Sequence, residues 1–296
     1  MLSIHAAALL LALWAMPATA CGQIFVSDTK NGTRVIGEYT TSGATVNNAL
    51  VSGLTDPVGL RVSGANLFVT DYTGGTVAEY NATSGATVNA PLLSGLQGPW
   101  NVAFSGSNLF VANFNNNTIG EYTTSGAIVN PALVSGLSGP QGIAISGSNL
   151  FIVNYLANTI GEYTTSGAIV NPALITGLSA PADIAVSGSN LFVTNFTGGT
   201  IGEYTTAGVT VNAALVSGLH APLGIAASGS NLFVTNFGIG TIGEYTTAGA
   251  TVNASLVSGL QAPFGIAVVP EPSTLVLAAL GFGGLVAMRW RRSLAR

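Results

Sequence analysis

The chain has 296 residues, of which 48% are hydrophobic and only 6% are charged, and its formal net charge is −4. Between residues 21 and 269 the only cations are Lys30, Arg34 and Arg61. Nucleic-acid binding is therefore excluded, because it needs a basic surface that neutralises phosphates. The mean hydropathy of +0.55 would suit a membrane protein. However, the apolar residues of this stretch occur in short runs between Gly, Asn, Ser and Thr, which is typical of β-strands.

The N-terminus has the pattern of a secretory signal. An apolar stretch runs from Ile4 to Met16, and Ala18-Thr19-Ala20 forms an A-x-A cleavage site. We therefore predict a signal peptide over residues 1–20 that a signal peptidase removes. Cys21 follows the site directly and allows two interpretations, an incidental residue after ordinary cleavage or a lipoprotein cysteine acylated on its thiol. Because it is the only cysteine, no disulfide can form within the chain.

The middle of the chain is one unit repeated six times. A Glu-Tyr pair recurs at intervals of 41 residues, with one interval of 42. The glutamates of these pairs are Glu38, Glu79, Glu121, Glu162, Glu203 and Glu244. Repeats of 40 to 50 residues that contain several short strands indicate propeller blades or stacked arrays.

Each repeat contains four strand-like runs. Examples are Gly142–Ile145, Asn190–Val193, Thr200–Tyr204 and Val211–Val216, separated by Gly-, Asn- and Ser-rich turns. The first two runs are apolar on both faces, which suits a sheet packed between two neighbouring sheets.

The ends of the repeat region favour a closed ring. It begins with a second run, Ile24–Val26, and ends with an isolated first run, Gly265–Val268. The last run can therefore complete the first blade, whereas a solenoid would leave it unpaired. We predict an all-β fold, a six-bladed β-propeller of four-stranded blades over residues 21–269, closed by its two termini. The repeat order P-x-G-I-A-V, N-L-F-V, T-I and Y is similar to NHL-type repeats of six-bladed propellers.

The six glutamates are the first candidate binding residues. Along T-I-G-E-Y, Glu shares a strand face with Ile, so partial burial is expected, and almost no cation is present to pair with it. A buried carboxylate must be hydrogen-bonded, bound to a metal or protonated. We expect a structural carboxylate that caps backbone N–H or Thr and Tyr hydroxyl groups. The alternatives are calcium binding and acid or base catalysis.

A second series closes the N-L-F-V runs. It consists of Asp28, Asp71, Asn113, Asn154, Asn195 and Asn236. We expect these residues to bind turn backbone, and the alternative is a polar ring at one mouth of the channel that holds sugars or a cation. The aromatic residues that follow, such as Tyr72 and Phe114, are expected to pack between blades, with stacking on sugars as the alternative. Trp100 breaks the repeat, and incidental packing is expected there too, with an aromatic residue that faces a ligand as the alternative.

No arrangement for nucleophilic catalysis is present. The two histidines are His5, in the signal peptide, and His220, in a turn, so neither a Ser-His-Asp triad nor a zinc site can be assembled. Phosphate-binding and dinucleotide-binding glycine motifs are also absent. We predict that the protein is not an enzyme and has no cofactor. The competing hypothesis is a propeller enzyme of the lactonase or lyase kind with one calcium ion in the channel.

The tail, residues 270–296, combines three features. Pro270, Glu271 and Pro272 form a rigid motif, Leu275 to Met288 is an apolar run of 14 residues, and a cluster of arginines follows. A spanning helix prefers roughly 20 residues, so we predict a marginal transmembrane helix over 275–288, a temporary anchor with cytoplasmic arginines.

In this order and position the three features resemble the PEP-CTERM sorting signal of Gram-negative bacteria. The resemblance implies export, tethering to the inner membrane, and cleavage by an exosortase. We therefore predict a structural or binding protein of the cell envelope, outer surface or extracellular matrix. Exopolysaccharide, the polymer associated with such tails, is the expected partner.

Overall fold

Six antiparallel sheets of four strands each make up the regular structure of the described residues. A computed structural model describes residues 22–29, 32 and 34–270. The predicted signal peptide, Cys21 and the tail from Glu271 onward lie outside these residues. In the described part of the chain, all regular structure is β, and no helix could span a membrane.

The 24 strands follow one another with short turns between them. In chain order they are β1 (Gln23–Asp28), β2 (Val35–Thr40), β3 (Thr45–Val51), β4 (Pro57–Ser63), β5 (Asn66–Asp71), β6 (Thr76–Asn81), β7 (Thr87–Leu93), β8 (Pro99–Ser105), β9 (Asn108–Asn113), β10 (Thr118–Thr123), β11 (Ile128–Val134), β12 (Pro140–Ser146), β13 (Asn149–Asn154), β14 (Thr159–Thr164), β15 (Ile169–Ile175), β16 (Pro181–Ser187), β17 (Asn190–Asn195), β18 (Thr200–Thr205), β19 (Thr210–Ser217), β20 (Pro222–Ser228), β21 (Asn231–Asn236), β22 (Thr241–Thr246), β23 (Thr251–Val257) and β24 (Pro263–Val269).

The ring closes as predicted. Blade 1 has the strand order β24-β1-β2-β3, and blades 2 to 6 each use four consecutive strands. In blade 1, Gln23 pairs with Val269 and Phe25 with Ala267 across an antiparallel ladder. The predicted six-bladed propeller with terminal closure is therefore confirmed.

The innermost strands surround the axis, and the outermost strands face solvent. Neighbouring blades pack through their inner and second strands, and a fully buried Phe of each second strand, such as Phe110, lies in the core between blades. The outermost strands are exposed over their first five residues. In the third strand a Cβ added to Gly120 would lie 2.7 Å from the ring of Tyr122. Five of the six third strands have Gly at this position, and only blade 2 has a larger residue there, Ala78 before Tyr80.

Hydroxyl groups on the second strands tie neighbouring blades together, and they were missed in the sequence. The Oγ1 of Thr235 accepts the N–H of Gly224 in its own blade (2.8 Å) and donates to the carbonyl of Phe264 in the next (2.7 Å). Thr70 and Thr194 make equivalent bonds. Ser27 does so at the closure, since it accepts the N–H of Gly265 and donates to the carbonyl of Val58. Blades 3 and 4 have Ala112 and Val153 at this position. The hydroxyl group is therefore not present in every repeat, and the sequence pattern did not reveal its role.

The propeller has two unlike faces. The entry face is the one where the inner strands begin. It also carries the connections between blades and the turns between second and third strands. The exit face is the one where the inner strands end, and it also carries the turns between third and fourth strands. Gly22 and Pro270 both lie at the exit face, because Gln23 pairs with Val269 there.

Candidate functional site

An open basin at the centre of the entry face is the most distinctive cavity. It consists of two adjoining cavities of about 380 and 150 Å³ that share Trp100, Gln141, Tyr155 and Phe264. Its other lining residues are Asp56, Val58, Tyr72, Phe114, Phe196, Leu223 and Phe237. Most of them are the second residue of an inner strand or the residue directly after a second strand. The fold therefore gathers one or two of them from each of several blades around the axis.

Aromatic rings form a continuous wall in this basin. Trp100 lies 5.4 Å from Tyr72, 5.5 Å from Phe114 and 6.5 Å from Phe264 between ring centroids. Phe264 contacts Phe237 at 5.3 Å, and Phe237 continues the wall to Phe196 at 6.4 Å. All of these rings are half-buried. The rings do contact one another between neighbouring blades, as expected, but they do so at the channel mouth and not in the buried core.

Gln141 supplies the polar group of the basin. Its side chain is only 4% exposed, and its Oε1 has no hydrogen-bond partner among the described residues. A buried amide oxygen without a donor costs about 1–3 kcal/mol. Such a group is a place where a ligand hydroxyl or N–H gains a hydrogen bond without displacing a protein partner. The Oδ1 atoms of Asn113 and Asn236 are also unpartnered, but they do not line the basin.

Asp56 adds a carboxylate at one side. Burial raises its pKa, the neighbouring Asp71 raises it further, and Arg34 opposes both effects. Tyr72 is held beside it by a hydrogen bond from its hydroxyl to Oδ1 of Asn115 (2.8 Å). The basin thus offers flat apolar surfaces, one carboxylate and one amide acceptor. Apolar surfaces with a few fixed polar groups are typical of sites for small organic molecules.

Beneath the basin the third residues of the inner strands form a narrow layer. Four of the six are glycines, and a Cβ at Gly59 or Gly265 would meet the backbone of the next inner strand. The exceptions are Asn101 and Asp183, which join across the ring by a 3.1 Å hydrogen bond. Arg61, where the other inner strands have Ala, lies 3.6 Å from Asp183.

Asp183 is a buried carboxylate with its acceptor positions in use. It accepts the N–H groups of Ile184 (2.9 Å) and Ile225 (3.2 Å) and the amide of Asn101, and Arg61 forms an ion pair with it. Burial raises its pKa, and the Arg61 charge and these bonds partly offset the rise. This asymmetric cluster was missed in the sequence. In the sequence, the cluster could have been recognised because Asn101 and Asp183 replace the Gly of the repeat and Arg61 replaces its Ala.

The six candidate glutamates lie in six different sheets and are not brought together. Each accepts a 2.6–2.7 Å hydrogen bond from a side-chain amide at the start of the second strand. The amide belongs to Gln23 in blade 1 and to an Asn in every other blade, such as Asn231 for Glu244. The partner is thus an amide and not the backbone or hydroxyl groups expected. Glu162 also lines a groove of about 510 Å³ with Asn149 and Asn171. A binding role for the glutamates stays a prediction.

Replacing Asn231 by Ala tests this amide–carboxylate pair. Burial raises the pKa of Glu244 and the Asn231 bond opposes the rise, so the variant holds the proton of Glu244 more tightly when folded. We expect the free energy of unfolding to fall by about 1–2 kcal/mol at neutral pH. The loss should shrink as the pH falls towards the ordinary value of a glutamate, because the neutral acid needs no donor. Urea unfolding across this pH range measures it. The control is Asn253→Ala on the exposed strand β23, and an equal loss there would contradict the assignment.

The Asp and Asn series is buried, and four of its six members accept N–H groups of loop backbone. Asp28 accepts the N–H groups of Gln261 and Ala262 (2.7–3.0 Å), and Asp71 accepts those of Thr55, Asp56 and Gly74. Asn154 and Asn195 accept the N–H groups of Ser138 and Ser179 in the same way. These four residues therefore fix connections between blades, whereas Asn113 and Asn236 donate to a strand carbonyl and to the Thr241 hydroxyl. All six side chains are between 1% and 9% exposed. Within residues 22–29, 32 and 34–270, no three His, Cys, Asp or Glu side chains are grouped to hold a metal ion.

Solved structures with the same fold are numerous. The described fold superposes on a chain of a nidogen/laminin complex with a TM-score of 0.74 at 15% identity, covering 84% of this chain and 99% of that one. Virginiamycin B lyase from Staphylococcus aureus gives 0.58 at 22% identity, covering 71% and 73%. A streptogramin B lyase structure gives 0.56 at 18% identity, covering 85% and 93%. At such identities these similarities establish the propeller fold alone.

The sequence comparisons concern the tail. No curated protein sequence matches the chain. The model of the PEP-CTERM protein-sorting motif matches residues 268–292, which include Pro270, Glu271 and Pro272. The match begins at Val268 within β24, so the motif follows the closing strand without a linker. The chain is therefore a six-bladed β-propeller with a PEP-CTERM sorting motif, which marks it for export, membrane-anchored sorting and processing by exosortase-type machinery.

Proposed function

We propose that this protein is a non-enzymatic binding component of the cell surface or extracellular matrix, and that its aromatic basin binds a neutral exopolysaccharide. The observation that carries the proposal is a half-buried aromatic wall that lines one basin together with Gln141, whose Oε1 is unpartnered. Sugar rings stack on aromatic faces through their C–H groups, and their hydroxyls are donors that an amide oxygen accepts. A neutral polymer is favoured because Asp56 is the charged residue of the basin and would repel an acidic one.

The surroundings of the two acidic residues nearest the basin support a non-enzymatic role. Asp183 lies beneath the basin and is 5% exposed, with four partners around its carboxylate. The Arg61 guanidinium stands where a calcium ion would approach that carboxylate. Asp56, at the side of the basin, has no His or second carboxylate among the basin residues to act with it. We expect thermal unfolding to be the same with and without EDTA.

Titration with neutral hexasaccharides tests the binding function. The probes are cellohexaose and isomaltohexaose, followed by the fluorescence of Trp100, the only Trp between residues 21 and 269. We expect saturable quenching or enhancement, and recovery of the saccharide intact by chromatography. Gln141→Met keeps the side-chain length but removes the acceptor, so affinity should fall by about tenfold.

The matched control is Ile239→Ala, an exposed apolar residue of the entry face that does not line the basin. It should leave the affinity unchanged. Calorimetry provides the same comparison for Trp100→Ala, which we expect to abolish measurable binding. Equal affinities in the Gln141, Trp100 and Ile239 variants would refute the basin as the site. Failure of both saccharides and of a neutral-glycan array to bind the unaltered protein would refute the function.

A further inference from the structure

The tail leaves the propeller at a defined point on one face. The inner strand β24 ends at Val269, and Pro270 follows at the exit face, close to the axis of the ring. Gly22 lies beside it, because Gln23 and Val269 are paired. Both ends of the described chain therefore emerge together from the middle of the exit face. An anchor at either end, the tail helix or a lipid on Cys21, would pull on the same place.

The connection between ring and predicted anchor is short. Only residues 271–274 separate Pro270 from the apolar run at Leu275, and four residues span at most about 14 Å. To turn the entry face towards the membrane, the tail would first have to cross three strand spacings, roughly 14 Å, to the rim of its blade. It would then have to run along the thickness of the blade, roughly 20 Å for strands of this length. The connection cannot cover that path.

The exit face is also free of charge in its turns. The turns after the inner strands have the sequence Ser-Gly-Ser or Ser-Gly-Ala, as at residues 146–148. The turns after the third strands are built from Thr, Ser, Gly, Ala, Val and Asn, as at residues 164–168. None of these turns contains Asp, Glu, Lys or Arg. The described charges outside the strands, Arg34 and Asp56, lie at the entry face instead. These uncharged, hydroxyl-rich turns can approach anionic lipid headgroups, although carboxylates of the third strands, such as Glu162, line grooves beside them.

We propose that the exit face lies against the lipid bilayer while the tail anchors the chain, so that the aromatic basin points away from the membrane. The partner of this face is the headgroup layer of the bilayer. The basin is then open to the periplasm or to the matrix even before the tail is cleaved. The orientation follows from the closure of the ring and the length of the connection, and it does not depend on what the basin binds.

A pair of fluorescent labels in one blade tests the orientation. The full chain, with Cys21→Ser, receives one new cysteine and is reconstituted into vesicles whose phosphatidylcholine headgroups carry a spin label that quenches nearby fluorophores. Ser148→Cys places the label in an exposed turn of the exit face, and Ala157→Cys places it in an exposed turn of the entry face. We expect the Ser148 label to lose most of its fluorescence and the Ala157 label to keep nearly all of it.

Equal quenching of the two labels, or the reverse order, would overturn the proposal. The pair Ser189→Cys and Thr197→Cys repeats the comparison in blade 5, should one of the first variants fail to fold. A chain that ends after Pro270 should show no quenching at either label, which ties the effect to the tail. The result is independent of saccharide binding, so this proposal and the proposed function can fail separately.

Discussion

Replacing Arg61 by Leu is expected to lower the free energy of unfolding by roughly 3 kcal/mol at neutral pH. The substitution removes the cation beside Asp183, whose carboxylate is 5% exposed and has no other positive partner in the described cluster. The three remaining donors, from Asn101, Ile184 and Ile225, bind the carboxylate but do not neutralise it. Denaturant unfolding of the two proteins measures the difference.

The pH dependence separates this electrostatic effect from lost packing. The pKa of Asp183 is already raised by burial, and Arg61 is the largest influence that opposes the rise. In the variant the folded state therefore takes up a proton at higher pH than the unfolded state does. Its deficit should be largest above the folded pKa and shrink as the pH falls through that value towards 3.8. The double variant Arg61→Leu, Asp183→Asn should recover much of the loss at neutral pH, since Asn is accommodated at the equivalent position 101. A deficit that is the same at every pH and in the double variant would contradict the buried ion pair.

Removal of the closing strand is expected to abolish cooperative folding. A chain that ends at Ala262 lacks β24, so β1 loses its neighbour and the core of Ile24, Val26, Phe233 and Ile266 loses one wall. The Ser27 hydroxyl also loses the N–H of Gly265. Thermal unfolding followed by circular dichroism should then show a broad transition at much lower temperature.

The control for this deletion is a chain that ends at Pro270. It lacks the same apolar tail but keeps all 24 strands, so it should unfold in one sharp transition. A sharp, unshifted transition in the chain ending at Ala262 would show that the ring does not need its closure. Loss of the sharp transition in both chains would show that cooperative folding needs the tail and not only β24.

The fold was predictable because the sequence repeat coincides with the structural unit, one blade. The interval of 41 residues, the four runs in each unit and the offset at the two ends defined the blades and their closure. The amide partners of the glutamates were not predictable from the strand pattern, since Asn108 and Glu121 approach diagonally across two strands. The cluster of Arg61, Asn101 and Asp183 was hidden because its members come from three repeats, and only the ring brings them to one axis.

The basin was half visible in the sequence. Trp100 and the aromatic residues after the second strands stood out, but a repeated aromatic residue usually belongs to a core. These aromatic residues line the basin because the second strands end one residue before them, which leaves the rings at the channel mouth. The unpartnered Gln141 became apparent only with its surroundings, because a Gln in one repeat out of six carries no signal by itself.

The closure of the ring also sets the order of events during biogenesis. Asp28 and Ser27 bind residues 233 to 238 positions later in the chain. The first strand can pair with β2 early, but its other edge has no partner until almost the whole chain has been delivered. Contacts of such separation form slowly, and an unpaired strand edge is prone to pair with other chains. The strand that pairs with this free edge is β24, and β24 also runs directly into the sorting motif. Translocation arrested at the tail would therefore hold each molecule apart from its neighbours during the interval in which its last strand finds its first.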